Sequence, residues 1–222
     1  LTEARRKDVF TDFNEGRALP EPFNTGDSYG GVSISLNNKE MFVTVCGPKD
    51  SRGYSNCDLF RTHFVTRFDL DQGGQVFEWS GLENLGPNIN TPNGWESQPS
   101  LSADGNTLYF GGQFQQVDAY SRVNLAAINT STGFLTLWDP QASGTVVYDL
   151  AVDGSTIYVT GYFSYLSGQV RSGIGAVDNV FGYATSWYPG PVGGYALEIS
   201  GGRLFLGGSL NTLEGQTRDG LA

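Results

Sequence analysis

The chain is expected to be all-β, on three observations: its composition, a strand–turn–strand unit that appears four times, and a constant spacing that carries whole neighbourhoods of that unit with it. Of 222 residues, 31 are glycine, 13% are aromatic and only 16% are charged. That balance suits short strands joined by tight turns and disfavours exposed amphipathic helices. The length allows one large core, or several small units sharing one. A formal net charge of −10 repels a phosphate backbone, and only Arg5, Arg6 and Lys7 form a basic cluster, so nucleic acid is excluded as a partner. No apolar run is long enough to cross a bilayer, and no signal-peptide pattern opens the chain. A start at Leu1 and a stop at "TRDGLA", where a new strand begins, are expected of a processed product or a piece of a longer protein.

The recurring unit is seen by aligning "SISLNNKEMFV" (33–43), "SLSADGNTLYF" (100–110), "DLAVDGSTIYV" (149–159) and "LEISGGRLFL" (197–206). Each reads as two alternating strands around Asn37-Asn38, Asp104-Gly105, Asp153-Gly154 or Gly201-Gly202. These pairs accept positive φ and predict a two-residue hairpin. Between the second and third copies the register is constant, because Asp104 and Asp153, Tyr109 and Tyr158, Leu125 and Ile174, and Trp138 and Trp187 keep one offset. The segment "NLAAINTSTGFLTLWDP" (124–140) likewise returns as "GIGAVDNVFGYATSWYP" (173–189), giving two more strands per unit. Four short antiparallel strands at this period predict the blade of a β-propeller, whose sheet buries its faces only against neighbouring blades.

In chain order, 1–24 reads as an N-terminal tail with an outer strand in "VFTDFNEGRALPEPFN" (9–24). Blade one spans 25–92 with long loops, blade two 93–141 and blade three 142–191. A partial blade four fills 192–222, and completion of one blade by the two termini is one of two open arrangements. The excess length of blade one is placed in "CGPKDSRGYSNC" (46–57) and in the turn-rich run 69–96. A ring of about four blades and a fragment of a larger array both remain open.

Residues 20–110 resemble the propeller repeats of TolB and of bacterial envelope proteins in which such repeats precede an OmpA-like domain. The resemblance rests on "LPEPFNT" (19–25), "GGVSISLNNKEMFVTVCG" (30–47), "CDLF" (57–60), "LGPNINTP" (85–92) and "WESQPSLSADGNTLYF" (95–110). Residues 111–222 resemble a second propeller repeat, of bacterial secreted and surface proteins, through "GGQFQQVDAYSRVNLAAINTSTGFLTLWDP" (111–140) and "GGSLNTLEGQTRDGLA" (207–222). The chain matches neither pattern throughout and carries no OmpA-like domain. The resemblance implies a periplasmic, outer-membrane-associated or extracellular module.

Cys46 and Cys57 have the wrong spacing for a C-x-x-C pair, and one histidine cannot complete a zinc site, so a structural disulfide in an oxidising compartment is the preferred reading. "GDSYG" (26–30) fits G-x-S-x-G, but a β pattern follows where a hydrolase would place a helix. His63, the sole imidazole, lies in the apparent strand "LFRTHFV", so Ser28 and His63 are not expected to pair. "DLDQGG" (69–74) resembles half a calcium loop without its closing carboxylate, position 80 being Ser80, and a hairpin turn is preferred. No cofactor is expected, with weak calcium binding left open. Trp138 and Trp187 recur in register and read as packing between blades. Trp95 and Glu96, after a Gly/Asn/Pro-rich loop, are the candidate ligand contacts, to a protein partner or a glycan. The favoured function is a non-catalytic binding or scaffold module. The alternative is a glycan hydrolase or lyase, for which Asp104, Asp153, Glu96 and Glu198 are the carboxylates near blade-face strands.

Overall fold

The computed structural model describes residues 1–4, 6–7, 11–25, 28–47, 56–69, 71, 73–210, 212–213, 216–217 and 220. Among these there is no helix, and all regular structure is antiparallel strand.

Four hairpins form the frame, each made of the two strands predicted from the recurring unit. They are Ser28–Ile34 with Glu40–Cys46, Trp95–Leu101 with Thr107–Gln113, Ser143–Asp153 with Thr156–Leu166, and Gly193–Ser200 with Arg203–Ser209. A two-residue turn is found in the last two, whose final pairs are Asp153↔Thr156 and Ser200↔Arg203, with the third turn at Gly154-Ser155, one residue on from the expected Asp153-Gly154. The first two have wider turns. There a serine hydroxyl bonds to an Asx side chain two residues on, Ser35 to Asn37 and Ser102 to Asp104, and accepts the backbone N–H of Glu40 or Thr107. This side-chain network adds to backbone bonds across the turn, where the Ser35 and Ser102 N–H groups donate to the Glu40 and Thr107 carbonyls.

A third strand joins three of these hairpins: Cys57–Asp69 on Glu40–Cys46, Leu125–Asn129 on Thr107–Gln113, and Ile174–Asp178 on Thr156–Leu166. The fourth strand is smaller than expected. In the first sheet it is Glu83–Asn84 on Phe60 and Arg61, and in the next two it is a single bridge, Ile128↔Leu135 and Val177↔Ala184. The cause is local. After one further bond from Thr136 N–H to the Ala127 carbonyl, the Thr136 carbonyl is taken by the Arg122 guanidinium, and Trp138 turns inward. Arg171 and Thr185 repeat the arrangement in the following sheet.

The first sheet departs from the others because Cys57–Asp69 runs past it. Its second half pairs with Gly74–Trp79 as a projecting hairpin, with Phe64 opposite Trp79 and Thr66 opposite Phe77. The turn at 69–74 is therefore a hairpin turn, with Gly73 at φ 66° and Asp69 accepting the Asp71 N–H; Leu70 and Gln72 lie outside the described residues. At the N-terminus, Arg17–Ala18 pairs with Thr2–Glu3, not with the last sheet. Among the described residues the fourth hairpin has no third ladder strand; residues 9–10 of the nominated outer strand lie outside them.

The core is divided among three clusters, each between consecutive sheets. Phe42, Leu59, Leu108 and Phe110 fill the first junction; Tyr109, Leu125, Trp138, Leu150 and Ile157 the second; Ile174, Leu197, Leu206 and Leu210 the third. Alternation along Thr107–Gln113 sends Leu108 and Phe110 to one junction and Tyr109 to the other, so that sheet is buried on both faces. Each fully buried Phe or Leu contributes about 1.5–3 kcal/mol.

Candidate binding site

The first strands of the four hairpins line one cavity of about 370 Å³, which Ser33, Gln98, Ser100, Asp149 and Glu198 help to wall. Side chains lock these strands to one another. The Ser33 hydroxyl accepts the Leu101 N–H at 3.0 Å, and the Asp149 carboxylate accepts the Leu197 N–H at 2.7 Å as well as its neighbour Leu150 N–H at 2.8 Å. Burial raises the Asp149 carboxyl above the usual range, opposed by those two donors. Both of its oxygens are thus engaged, one bridging to the next hairpin through Leu197 and the other bound to the Leu150 N–H of its own strand.

The predicted contacts fall elsewhere. Trp95 opens the strand Trp95–Leu101, half-buried, and its indole Nε1 is buried without a hydrogen-bond partner among the described residues. Glu96 has no exposed surface, and its carboxylate accepts the Thr91 N–H at 3.0 Å and the Thr91 hydroxyl at 2.7 Å. It closes the loop before its strand and presents nothing to a ligand. Desolvation pushes its carboxyl up to about 7 despite those two bonds. Burial does not alternate here, since Glu96 and its neighbour Ser97 are both buried, and the polar residues around Glu96 conceal its inward placement.

Ser28 and His63 are not brought together. Ser28 pairs with Cys46 and Cys46 with Cys57, whereas His63 pairs with Glu40 at the far end of the same sheet. Six residues of strand separate the two levels, about 20 Å at ~3.3 Å per residue. Gly26 and Asp27 of the "GDSYG" stretch lie outside the described residues. Cys46 and Cys57 are bonded, with Cα atoms 4.0 Å apart as directly opposed residues of neighbouring strands. Of the other nominated carboxylates, Asp104 is held in its turn by Ser102 and Asn106, which keep its carboxyl low, and Asp153 and Glu198 are exposed.

A second cleft, also about 370 Å³, opens between the third and fourth sheets. Its walls carry Tyr148, Tyr162 and Tyr195, and its floor is backbone of Gly144, Gly161, Gly173 and Gly194. Tyr162 is 70% and Tyr195 55% exposed. The Tyr148 and Tyr195 rings meet edge to face, centroids 5.3 Å apart. The glycines are demanded by strand packing: a Cβ on Gly144 would lie 2.3 Å from the Tyr162 carbonyl oxygen, and one on Gly161 2.3 Å from that of Val146. Sequence reasoning missed this cleft because its tyrosines were counted only in bulk. The signal was there in "VYDLAV" and "GYALEI", where a tyrosine stands at matching places in consecutive copies.

No family model matches the chain, and no curated protein does.

Proposed function

We propose that the chain is a non-catalytic β-propeller binding module of a bacterial cell-envelope or secreted protein, its four sheets being blades. The observation that carries this reading is the single cavity lined by the first strand of every hairpin. The three core clusters, one per junction, support it, since a blade buries its faces only against its neighbours. The disulfide supports a place outside the cytoplasm, as does the likeness of 20–110 to TolB-type envelope repeats. The reading is tested by chemical cross-linking and mass spectrometry in the native envelope fraction: a protein or glycan held stoichiometrically supports it, and a free monomer that turns over a substrate opposes it.

A second reading, a glycan-cleaving enzyme, has one observation in its favour: Asp149 and Glu198 both line the shared cavity. It is weakened by the two backbone N–H groups that already occupy the Asp149 carboxylate. Glycan hydrolysis lost in Glu198→Gln would favour it.

A further inference from the structure

The first strand of each hairpin carries one extra residue near the same place. The register skips within Tyr29/Val32, Ser97/Ser100, Val147/Asp149 and Gly194/Ala196. Such a bulge breaks the in-out alternation and re-aims the side chain it carries. In the first two hairpins the bulges hold Gly30-Gly31 and Gln98-Pro99, which close on each other: a Cβ on Gly31 would sit 3.1 Å from the Gln98 Cα and 3.2 Å from the Pro99 Cδ. In the last two, the extra residues are Tyr148 and Tyr195. Their rings turn toward each other over the glycine-floored cleft that the bulges leave open.

We propose that this cleft is a binding site for an uncharged oligosaccharide, gripped by Tyr148, Tyr195 and Tyr162. The inference rests on the binding-module reading above and names the ligand class. A sugar ring has an apolar C–H face and a rim of hydroxyls that both donate and accept. Tyrosine matches it with an apolar ring and a polar tip. The hydroxyls of Tyr148 and Tyr162 carry no hydrogen bond among the described residues, and Ser164 and Ser172 also line the cleft. No charged side chain lines it, in a chain with 23 acidic and 13 basic residues, so a charged ligand finds no partner there. The volume of about 370 Å³ is that of a small-ligand site. A proline-rich peptide also stacks on tyrosines but offers acceptors with few donors, which suits the mixed polar groups of this cleft less well.

The test is isothermal titration of the whole chain with maltotetraose, cellotetraose and N-acetylchitotetraose, with tetragalacturonate and decaproline as controls. At least one neutral sugar is expected to bind. Tyr148→Ala, Tyr195→Ala and Tyr162→Ala should each weaken it about tenfold or more, ~1.4 kcal/mol per tenfold, while the melting temperature moves by no more than about 4 °C and Tyr148→Phe retains most of the affinity. The proposal is overturned by no neutral sugar binding below about 10 mM, by affinity unchanged in the alanine variants, or by preference for tetragalacturonate or decaproline. If the sugars fail while an envelope partner is still captured, the cleft assignment falls and the module reading stands. If bound sugar is cut into shorter products, the cleft stands and the non-catalytic reading falls.

Discussion

The second and third junctions are built from the same chain positions one period apart, yet one is closed and the other open. In the second, Trp138 is 1% exposed, meets Tyr109 edge to face at 5.0 Å, and donates from Nε1 to the Asp178 carbonyl at 2.7 Å. In the third, Trp187 meets Tyr158 at 4.9 Å but stays half-buried. Arg122 pairs with Asp139 at 3.4 Å in one, while Arg171 lies over the Tyr188 ring at 5.0 Å in the other. Asn124 and Gly173 share a left-handed backbone, at φ 61° and 78°. The Asn124 side chain reaches the Ala142 and Gly144 carbonyls of the next sheet, whereas at Gly173 the Val192 carbonyl comes so close that a Cβ would lie 1.8 Å from it. The repeat therefore fixes the frame, and a few substitutions within it decide whether a junction is packed or left as a cleft.

The contrast is broken most severely at the tryptophans. Trp138→Ala should cost about 3–5 kcal/mol of stability, and Trp187→Ala about half as much because less of its ring leaves water on folding. Urea unfolding with an unchanged m-value measures both; equal losses would mean the third junction is as tightly packed as the second.

A pH effect should be confined to particular units. Glu96, with a carboxyl at about 7 against 4.5 when unfolded, is held protonated by the fold. The unfolded state thus binds fewer protons in that window, so stability is full below about pH 4.5 and declines as pH rises to about 7, by about 3 kcal/mol in all. Asp149, also raised, adds a loss of the same sign above the ordinary carboxylate range. Glu96→Gln, which mimics the protonated acid, should flatten most of the slope in chemical denaturation between pH 4 and 8. The matching position one period on is the exposed Thr145, where Thr145→Ala should leave the slope unchanged.

The left-handed position sharpens the comparison further. Asn124→Gly removes bonds to three backbone groups, two of them buried, and should cost about 2 kcal/mol, while Gly173→Asn, forced against the Val192 carbonyl, should cost at least about 2 kcal/mol. Thermal melts of both variants check this, and a neutral Gly173→Asn would show that the fourth sheet can move away. The smallest effect on stability is expected at the cleft itself, where Tyr148→Ala and Tyr195→Ala should each change it by under about 1 kcal/mol, since Tyr195 is exposed and Tyr148 only half-buried.

Much of the frame was legible in the sequence. The alternating strands, the turn residues at Asn38, Gly105 and Gly154 with their positive φ, the recurring Tyr109/Trp138 and Tyr158/Trp187 pairs, and the Cys46–Cys57 bond all follow from local patterns. The bulges were not, because an extra residue has no fixed identity: here it falls at Gly30-Gly31, at Gln98-Pro99 and at two tyrosines. Nor was the shrinking of the fourth strand, which depends on Arg122 and Arg171 competing for a carbonyl from fourteen residues away. The burial of Glu96 and the bridging role of Asp149 depend on which strand lies next in space, and no single stretch of sequence records that.

The projecting hairpin of the first sheet carries a liability. Phe64, Phe68 and Phe77 lie on one face of it, with Phe68 and Phe77 more than half exposed, and Gly74–Trp79 is an edge strand. A flat apolar edge of this kind invites strands of other molecules to add to it. Its opposite face holds the Arg67–Glu78 ion pair at 2.7 Å, and Asp69 and Asp71 stand at its turn. A strand added to extend the ribbon would partly desolvate that exposed pair. Charged residues beside an apolar edge oppose self-assembly, so neutralising Glu78 and Arg67 together should leave the fold intact while making the protein prone to aggregate, as read by light scattering.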